Sequence, residues 1–334
     1  MNLFHDLKIA LRNVFRNTRR SLVTIVAITL SCAGLILFAG YVAWAFRSAE
    51  TLTVVLQSHI QLFKRGFYEK GAGNPAKYAI GGYEKIKQLL ENDPAIGPKL
   101  DFVTGQTLFN GIVSHSKART SSTFVGLGVF PGDDWRMLHW NPYRLVSPAE
   151  LPENKDLYHS GPELASDDPD GVSVGGRLAH TLELTVSQPS NEHALQPQTP
   201  APASEESSED LRALSQEMAN TEPETSARPS VELICAPPGG GMPNATTVAV
   251  RKIFTRGTRE LDNQLIKIDI HRASDLLFPG EELKVTSVLI VLKKTADVPA
   301  VLARVRELIA KRDLDLDYGT WDQLRPYYRQ LTTM

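Results

Sequence analysis

Cysteine is nearly absent, with two residues in 334. Cys32 sits inside an apolar run and Cys235 lies far along the chain, so a bridge between them is geometrically implausible and no disulfide framework is present. Closely spaced thiols that could hold zinc, an iron–sulfur cluster or a redox pair are missing. The eight histidines are scattered, without an H-x-H, an H-E-x-x-H or a Cys/His cluster, so the sequence announces no metal and no other cofactor. A phosphate-binding glycine loop is missing too: Pro238-Gly239-Gly240-Gly241 lacks the following Lys-Ser/Thr and reads as a hairpin turn ahead of a strand. Beyond the N-terminus the basic residues are dispersed among acids and the net charge is -2, which leaves nucleic acid without support as a partner. Charge is wholly absent from Val23 to Phe46, and aromatic residues are wholly absent from about Pro189 to Ser230.

The uncharged run is the strongest feature present. As a helix, Val23–Phe46 would be about 36 Å long at about 1.5 Å per residue, enough to cross a hydrocarbon core of about 30 Å with some tilt. Its Thr24, Thr29, Ser31 and Cys32 can bond back to the helix's own carbonyls, while Gly34 and Gly40 would let another helix approach. Ala43-Trp44-Ala45 imitates a signal-peptide cleavage site, but the run is too long for a signal peptide's apolar region of about 7–15 residues. Arg16, Arg19 and Arg20 precede the span, so the positive-inside rule predicts a cytoplasmic N-terminus and a chain that emerges on the far side. Leu3, Leu7, Leu11 and Val14 recur on one helical face with Lys8, Arg12, Arg16 and Arg19 on another, which predicts a basic amphipathic helix over residues 1–22, either lying on membrane lipid or extending the transmembrane helix into water.

After Leu52 the pattern changes to short β-prone runs. A strand is expected over Ser58–Lys64, a helix over Tyr83–Leu90 ended by Asn92-Asp93-Pro94, and strands over Thr107–Ser114 and Ser122–Val129. Val285–Leu292 is a continuous apolar run, Val298–Lys311 is helix-periodic and Leu314–Tyr318 is strand-like, giving a β-α-β unit. The acidic stretch from Pro189 to Ser230 has too little apolar surface to offset its ordering entropy, except for a short helical pattern through Leu211, Leu214 and Met218. The expected architecture is α+β: a cytoplasmic segment 1–22, a transmembrane helix 23–46 and an extracytoplasmic domain 47–334. Within that domain one α+β layer would take residues about 47–135 and 276–325, and a β-rich lobe about 136–275, with a disordered acidic insertion over about 189–230.

Two motifs invite a chemical reading. Gly171-Val172-Ser173-Val174-Gly175 matches the G-x-S-x-G nucleophile elbow, yet the available partners His271 and Asp297 occur in the order His before Asp, the reverse of that fold. A strand ending in a glycine turn accounts for the same residues, so no catalytic residue is assigned and the chain is not read as an enzyme. Asp167-Asp168-Pro169-Asp170-Gly171 lacks the spacing of a calcium loop and reads as a solvated turn.

Four stretches resemble the permease subunits of the MacB, FtsX and lipoprotein-releasing (LolC/LolE) group of ABC transporters. Leu7–Ser21 (LKIALRNVFRNTRRS) is similar to the family's leading cytoplasmic helix, and Ser58-His59-Ile60-Gln61-Leu62 to its G-H-hydrophobic-Q-hydrophobic strand. Gly171–Ala179 (GVSVGGRLA) is similar to its strand, glycine turn and short L-A helix, and Phe254–Leu277 to its F-x-T/R-G-x-x-E-L-D run with the strand and helix that follow. The resemblance implies a protein of the bacterial inner membrane, single-pass in this form, carrying a MacB-like periplasmic core: a porter-like α+β lobe with a small β-rich lobe inserted. It implies an ABC ATPase partner that binds the ATP, a second permease chain or a homodimer, and a periplasmic cargo or carrier protein, with lipoproteins, peptides or small molecules handled. Two departures stand out. The family continues into three further membrane helices, whereas this chain stops at about Leu324–Arg329, as a truncated, split or partial permease would; and the Gly-Asp expected after the L-A helix is replaced by the acidic insertion. A single-pass periplasmic binding or sensory module without transport activity is the rival expectation.

Overall fold

A computed structural model describes residues 18–71, 73–145, 162–184, 229–254 and 259–321, together with Arg12 and Arg16. The rest of the amphipathic N-terminal pattern, the acidic stretch up to residue 228 with its short helical pattern, and the residues after Trp321 lie outside the described residues.

The chain enters as one unbroken helix, α1 (Thr18–Gln57), 40 residues long and free of proline. The expected span Val23–Phe46 is its central part. Apolar side chains such as Leu22, Ile25, Leu30, Leu37 and Phe38 are exposed along it, and burial begins only at Thr53 and Val54. A helix apolar all round needs an apolar surrounding. The hydroxyls of Thr24, Thr29 and Ser31 donate to the carbonyls of Arg20, Ile25 and Ala27 at 3.0, 2.8 and 2.8 Å, so no side-chain hydroxyl among them faces hydrocarbon unpaired.

Beyond α1 come β1 (Ile60–Lys64), α2 (Phe67–Lys70), α3 (Tyr83–Glu91), β2 (Leu100–His115), β3 (Thr120–Val129) and α4 (Pro131–Leu138). Then follow β4 (Gly171–Gly175), α5 (Gly176–Thr181), β5 (Ser230–Cys235), β6 (Asn244–Phe254), α6 (Arg259–Gln264) and β7 (Leu265–Asp269). The described chain closes with α7 (Ile270–Leu277), β8 (Ser287–Leu292), α8 (Val298–Lys311) and β9 (Leu316–Thr320). Helix and strand are mixed as an α+β protein requires.

Four strands form a layer in the order β9-β1-β8-β2, with β1 antiparallel to both β8 and β9. The expected β-α-β unit at the C-terminal end is therefore split: β1 lies between its two strands, as in split β-α-β folds. Helices α3 and α8 cover this layer, burying Ile86, Leu90, Val301, Val305 and Leu308 against Ile60, Leu62, Val288 and Ile290. The end of α3 is tied to α8 by Arg304, whose Nε and Nη2 donate to Asp93 Oδ2 at 3.0 and 2.9 Å. The bonds from Arg304 hold the Asp93 carboxyl below the ordinary carboxylate range.

The remaining pairings run β2-β3-β7-β4-β6-β5 and return to β2, a closed ring of six strands. Its interior holds Phe109, Phe124, Val172, Val174, Leu233, Val248 and Ile268. The two assemblies share one strand: β2 pairs with β8 over Leu100–Gln106, with β3 over Gln106–His115 and with β5 over Ile112–Ser114. The hairpin Gln106–Val129 thus belongs to the ring. The glycine-rich turn Pro238–Gly241 joins β5 to β6, with Gly240 and Gly241 at φ 78° and 126°.

An ionic clasp braces the ring from outside its apolar interior. Lys267 on β7 is buried, with Nζ 2.8 Å from both oxygens of Asp134 in the first turn of α4 and 3.0 Å from Glu163 Oε2. Removing the ammonium leaves two buried carboxylates without their cation, so Lys267→Met should lower stability by about 3–5 kcal/mol in urea unfolding of the detergent-solubilised chain. Gly126 faces Phe109 across the β2–β3 pair, and a Cβ there would lie 2.3 Å from the Phe109 ring. Phe109 is itself held edge-on by Phe124, so Gly126→Ala should cost about 1–3 kcal/mol in the same assay, whereas Gly132→Ala, with open space around it, should cost nothing.

Candidate functional site

A membrane-type helix that runs straight into a folded domain must stop without leaving its last carbonyls bare. Ser58 does this in one residue. It takes the left-handed conformation at φ 56°, its N–H donates to Val54 O at 2.7 Å, and its hydroxyl donates to Ile60 O at 3.1 Å. The Gln61 amide donates back to Gln57 O at 2.5 Å, so β1 is stitched to the last turn of α1. That last turn is plugged into a small core, where fully buried Val54 meets Phe102, Met137, Trp140, Leu289 and Val291. Burying such a valine contributes about 1.5–3 kcal/mol, so helix end and sheet hold together as one unit.

His59, also fully buried, is the centre of the junction. Its Nδ1 accepts the N–H of Leu292 at 3.0 Å, which places the ring proton on Nε2, 3.1 Å from Thr295 Oγ1. Its backbone N–H donates to Ile290 O at 3.2 Å, and its carbonyl accepts from Trp321 N at 3.1 Å. Trp140 stands edge-on to the imidazole, ring centres 4.8 Å apart, and donates its indole N–H to Leu292 O at 3.1 Å. Both backbone groups of Leu292, the last residue of β8, are therefore held by side chains: His59 from the helix junction and Trp140 from beyond α4. Burial pushes the imidazole pKa down to about 3, which keeps it neutral and able to accept from Leu292.

Past Trp140 the chain forms a tight loop against α1. Asn141 clamps it by donating to Leu145 O at 2.7 Å and accepting from Leu145 N at 2.9 Å. At its tip the Tyr143 hydroxyl donates to Glu50 Oε1 at 2.8 Å, and the Arg47 guanidinium lies 5.3 Å from the Tyr143 ring.

The sequence-predicted residues fall at the other end or elsewhere. Arg19 and Arg20 are exposed in the first turn of α1, Arg16 is exposed just before it, and the apolar run separates all three from the junction. Ser173 is fully buried in β4, its hydroxyl donating to Glu163 O, while Asp297 is occupied by Lys99 at 3.6 Å and the His271 ring stands against Phe130. Those positions do not make the exposed turn a serine nucleophile needs. The acidic turn at 167–171 is bound into ion pairs, Asp168 with Arg251 and Asp170 with Arg272. Among the described residues no group of three or more His, Cys, Asp or Glu side chains could hold a metal ion. His59 and Trp140 were not singled out as a pair by sequence. The one available signal was a histidine in an otherwise core-forming strand, Ser58-His59-Ile60-Gln61-Leu62.

No family model and no curated protein matches the sequence. Among solved structures, the chain is similar to the extracellular domain of the noncanonic ABC-type transporter YknZ from Gram-positive bacteria, at 11% identity and TM-score 0.36, covering 78% of this chain and 98% of that one. It is also similar to the periplasmic region of MacB from Actinobacillus actinomycetemcomitans, at 10% identity and TM-score 0.37, covering 81% and 92%. Neither overlay is close enough to fix a function.

Below its ordinary value of 6.5 the unfolded His59 imidazole takes up a proton that the folded one refuses until about pH 3, so the folded state loses stability as pH falls through this window. Between pH 6.5 and 5 the loss should be about 1–2 kcal/mol, at about 1.4 kcal/mol per unit. In urea titrations at these two pH values, His59→Asn should be less stable at neutral pH yet lack this share of the pH slope.

Proposed function

We propose that this chain is a membrane-anchored permease subunit, or part of one, of an ABC transporter of the MacB, FtsX and LolC/LolE type. Its N-terminus is cytoplasmic, set by Arg16, Arg19 and Arg20, and its folded part lies in the periplasm. The four-strand layer with α3 and α8 is the porter-like lobe, and the six-strand ring is the small β-rich lobe. The ATP is bound and hydrolysed by a partner subunit, and this chain carries the resulting movement to a periplasmic cargo, a lipoprotein, peptide or small molecule, or to its carrier.

The junction carries this reading. An unbroken helix whose far end is plugged into a core by Val54 and locked to β8 through His59 behaves as a lever: displacement at the membrane end reaches the sheet without being absorbed by a hinge. The motifs at Ser58–Leu62, Gly171–Ala179 and Phe254–Leu277 support the same assignment, because their strands and helices fall where the resemblance expects them.

The decisive measurement is affinity capture of the chain, tagged at its N-terminus and extracted from membranes, with mass spectrometry of what accompanies it. The expected result is an ABC ATPase subunit recovered reproducibly, and ATPase turnover in that complex that changes when two glycines are inserted after Gln57, although the complex still forms. Recovery of envelope proteins alone would instead identify a tethered binding or sensory module.

A further inference from the structure

A second surface of the junction is built for a different neighbour. We propose that the loop Asn141–Leu145, together with Arg47, is a foot that rests in the headgroup layer of the leaflet from which α1 emerges, its two arginines taking lipid phosphate. The inference rests on α1 crossing the membrane, as proposed above.

The first argument is level. The apolar run ends at Phe46 and Arg47 is the first charge after it, so an α1 that spans the bilayer puts Arg47 at the edge of the hydrocarbon. Tyr143 is fixed to that same level by its contact with Arg47 and by its bond to Glu50, which lies only about 4.5 Å further along the helix axis. The folded domain therefore reaches down to the end of the apolar run.

The second argument is preorganisation. Asn141 closes the loop on Leu145 with two bonds, and Arg144 is held in the left-handed region at φ 49° with its N–H on Asn141 O at 3.2 Å. Upstream the loop hangs from Trp140, which is buried and bonded to Leu292. Its tip, Pro142-Tyr143-Arg144, is exposed and cannot retreat into the domain.

The third argument is chemistry. Tyr41 and Trp44 are exposed on α1 within two turns below Arg47, the amphipathic aromatic band that settles at a headgroup boundary, and Tyr143 extends that band onto the folded domain. Among the described residues neither Arg47 nor Arg144 has a carboxylate at salt-bridge distance, and the nearby Glu50 accepts from the Tyr143 hydroxyl. Two unneutralised guanidiniums beside a tyrosine, at this height, match the planar bidentate demand of a phosphate diester.

The test uses the full chain with Cys32→Ser, buried Cys235 left in place, reconstituted into phosphatidylethanolamine–phosphatidylglycerol vesicles. Nitroxide labels go singly on Pro142→Cys, on Phe38→Cys within the apolar run and on Gly239→Cys in the β5–β6 turn, and accessibility to oxygen and to a water-soluble nickel chelate is measured. The foot predicts an oxygen-to-nickel ratio at position 142 several-fold above that at 239 and below that at 38, falling toward the 239 value in Arg47→Gln/Arg144→Gln. A ratio at 142 equal to that at 239, with 38 in hydrocarbon, overturns the foot while leaving the membrane helix intact. Shielding of 142 from both reagents means another protein segment covers the loop and also overturns it. A ratio unmoved by the double substitution removes the phosphate contacts. An aqueous signal at 38 would instead remove the membrane helix itself, and the foot with it.

Discussion

The burial of α1's last turn is the constraint on which the rest of the arrangement depends. A helix of 40 residues with an apolar centre could end in a flexible tether, and its domain would then drift independently of it. Here Val54 enters a core lined by strand residues from β2 and β8, and the next six residues cap the helix, turn the chain and begin β1. A buried, neutral imidazole then fastens the start of β1 to the end of β8. The helix axis and the sheet consequently share one set of side chains, and neither can be reoriented without emptying that core. Polar groups this deeply buried are tolerable only because each is bonded: His59 on both ring nitrogens and Trp140 on its indole N–H.

The second consequence comes through β2. Its first residues lie in the four-strand layer under the helix junction and its last residues close the six-strand ring, without a break in the strand. A strand of 16 residues is well beyond the usual length, and both of its halves are needed for pairing. Leu292 of β8 pairs with Leu100 at the start of β2, the register shifts between Leu100 and Phe102, and β2 then runs on into the ring. The Lys267 clasp does the complementary work by tying β7 of the ring to α4, which stands beside the end of α1.

Local order was well written in the sequence. The helices expected at Tyr83–Leu90 and Val298–Lys311 form at Tyr83–Glu91 and Val298–Lys311, because apolar spacing and the flanking Gly82, Asn92 and Pro299 leave little alternative. The strands expected near Ser58–Lys64, Ser122–Val129 and Val285–Leu292 form within two residues of those bounds. Pairing was not legible. That β1 inserts between β8 and β9, and that the β2–β3 hairpin is closed into a ring through β5 and β7, are decided by contacts between residues more than a hundred positions apart, which no local pattern encodes. The continuation of α1 from Phe46 to Gln57 was missed for a related reason. Its polar residues break the apolar run, and only packing of Thr53 and Val54 against the sheet reveals why the helix continues. The site suffered most: a histidine and a tryptophan 81 positions apart meet only because α4 folds back onto the helix junction.

The buried charged and polar groups serve to join elements of the fold. Buried ionisable groups elsewhere in proteins are often kept poised by mismatched surroundings. Among the described residues, Asp93 is paired with Arg304 across two helices, Lys267 with two carboxylates, and His59 between a strand end and Thr295. Each joins two elements of secondary structure, and Asp93 and Arg304 also line an open pocket between α3 and α8. A structure whose buried polar groups act as joints is stiff where the joints are, and one such joint lies just beyond the point where α1 leaves the apolar run. Under the function proposed here, that point lies at the membrane surface, so a small tilt of the helix becomes a large sweep at the far end of the six-strand ring.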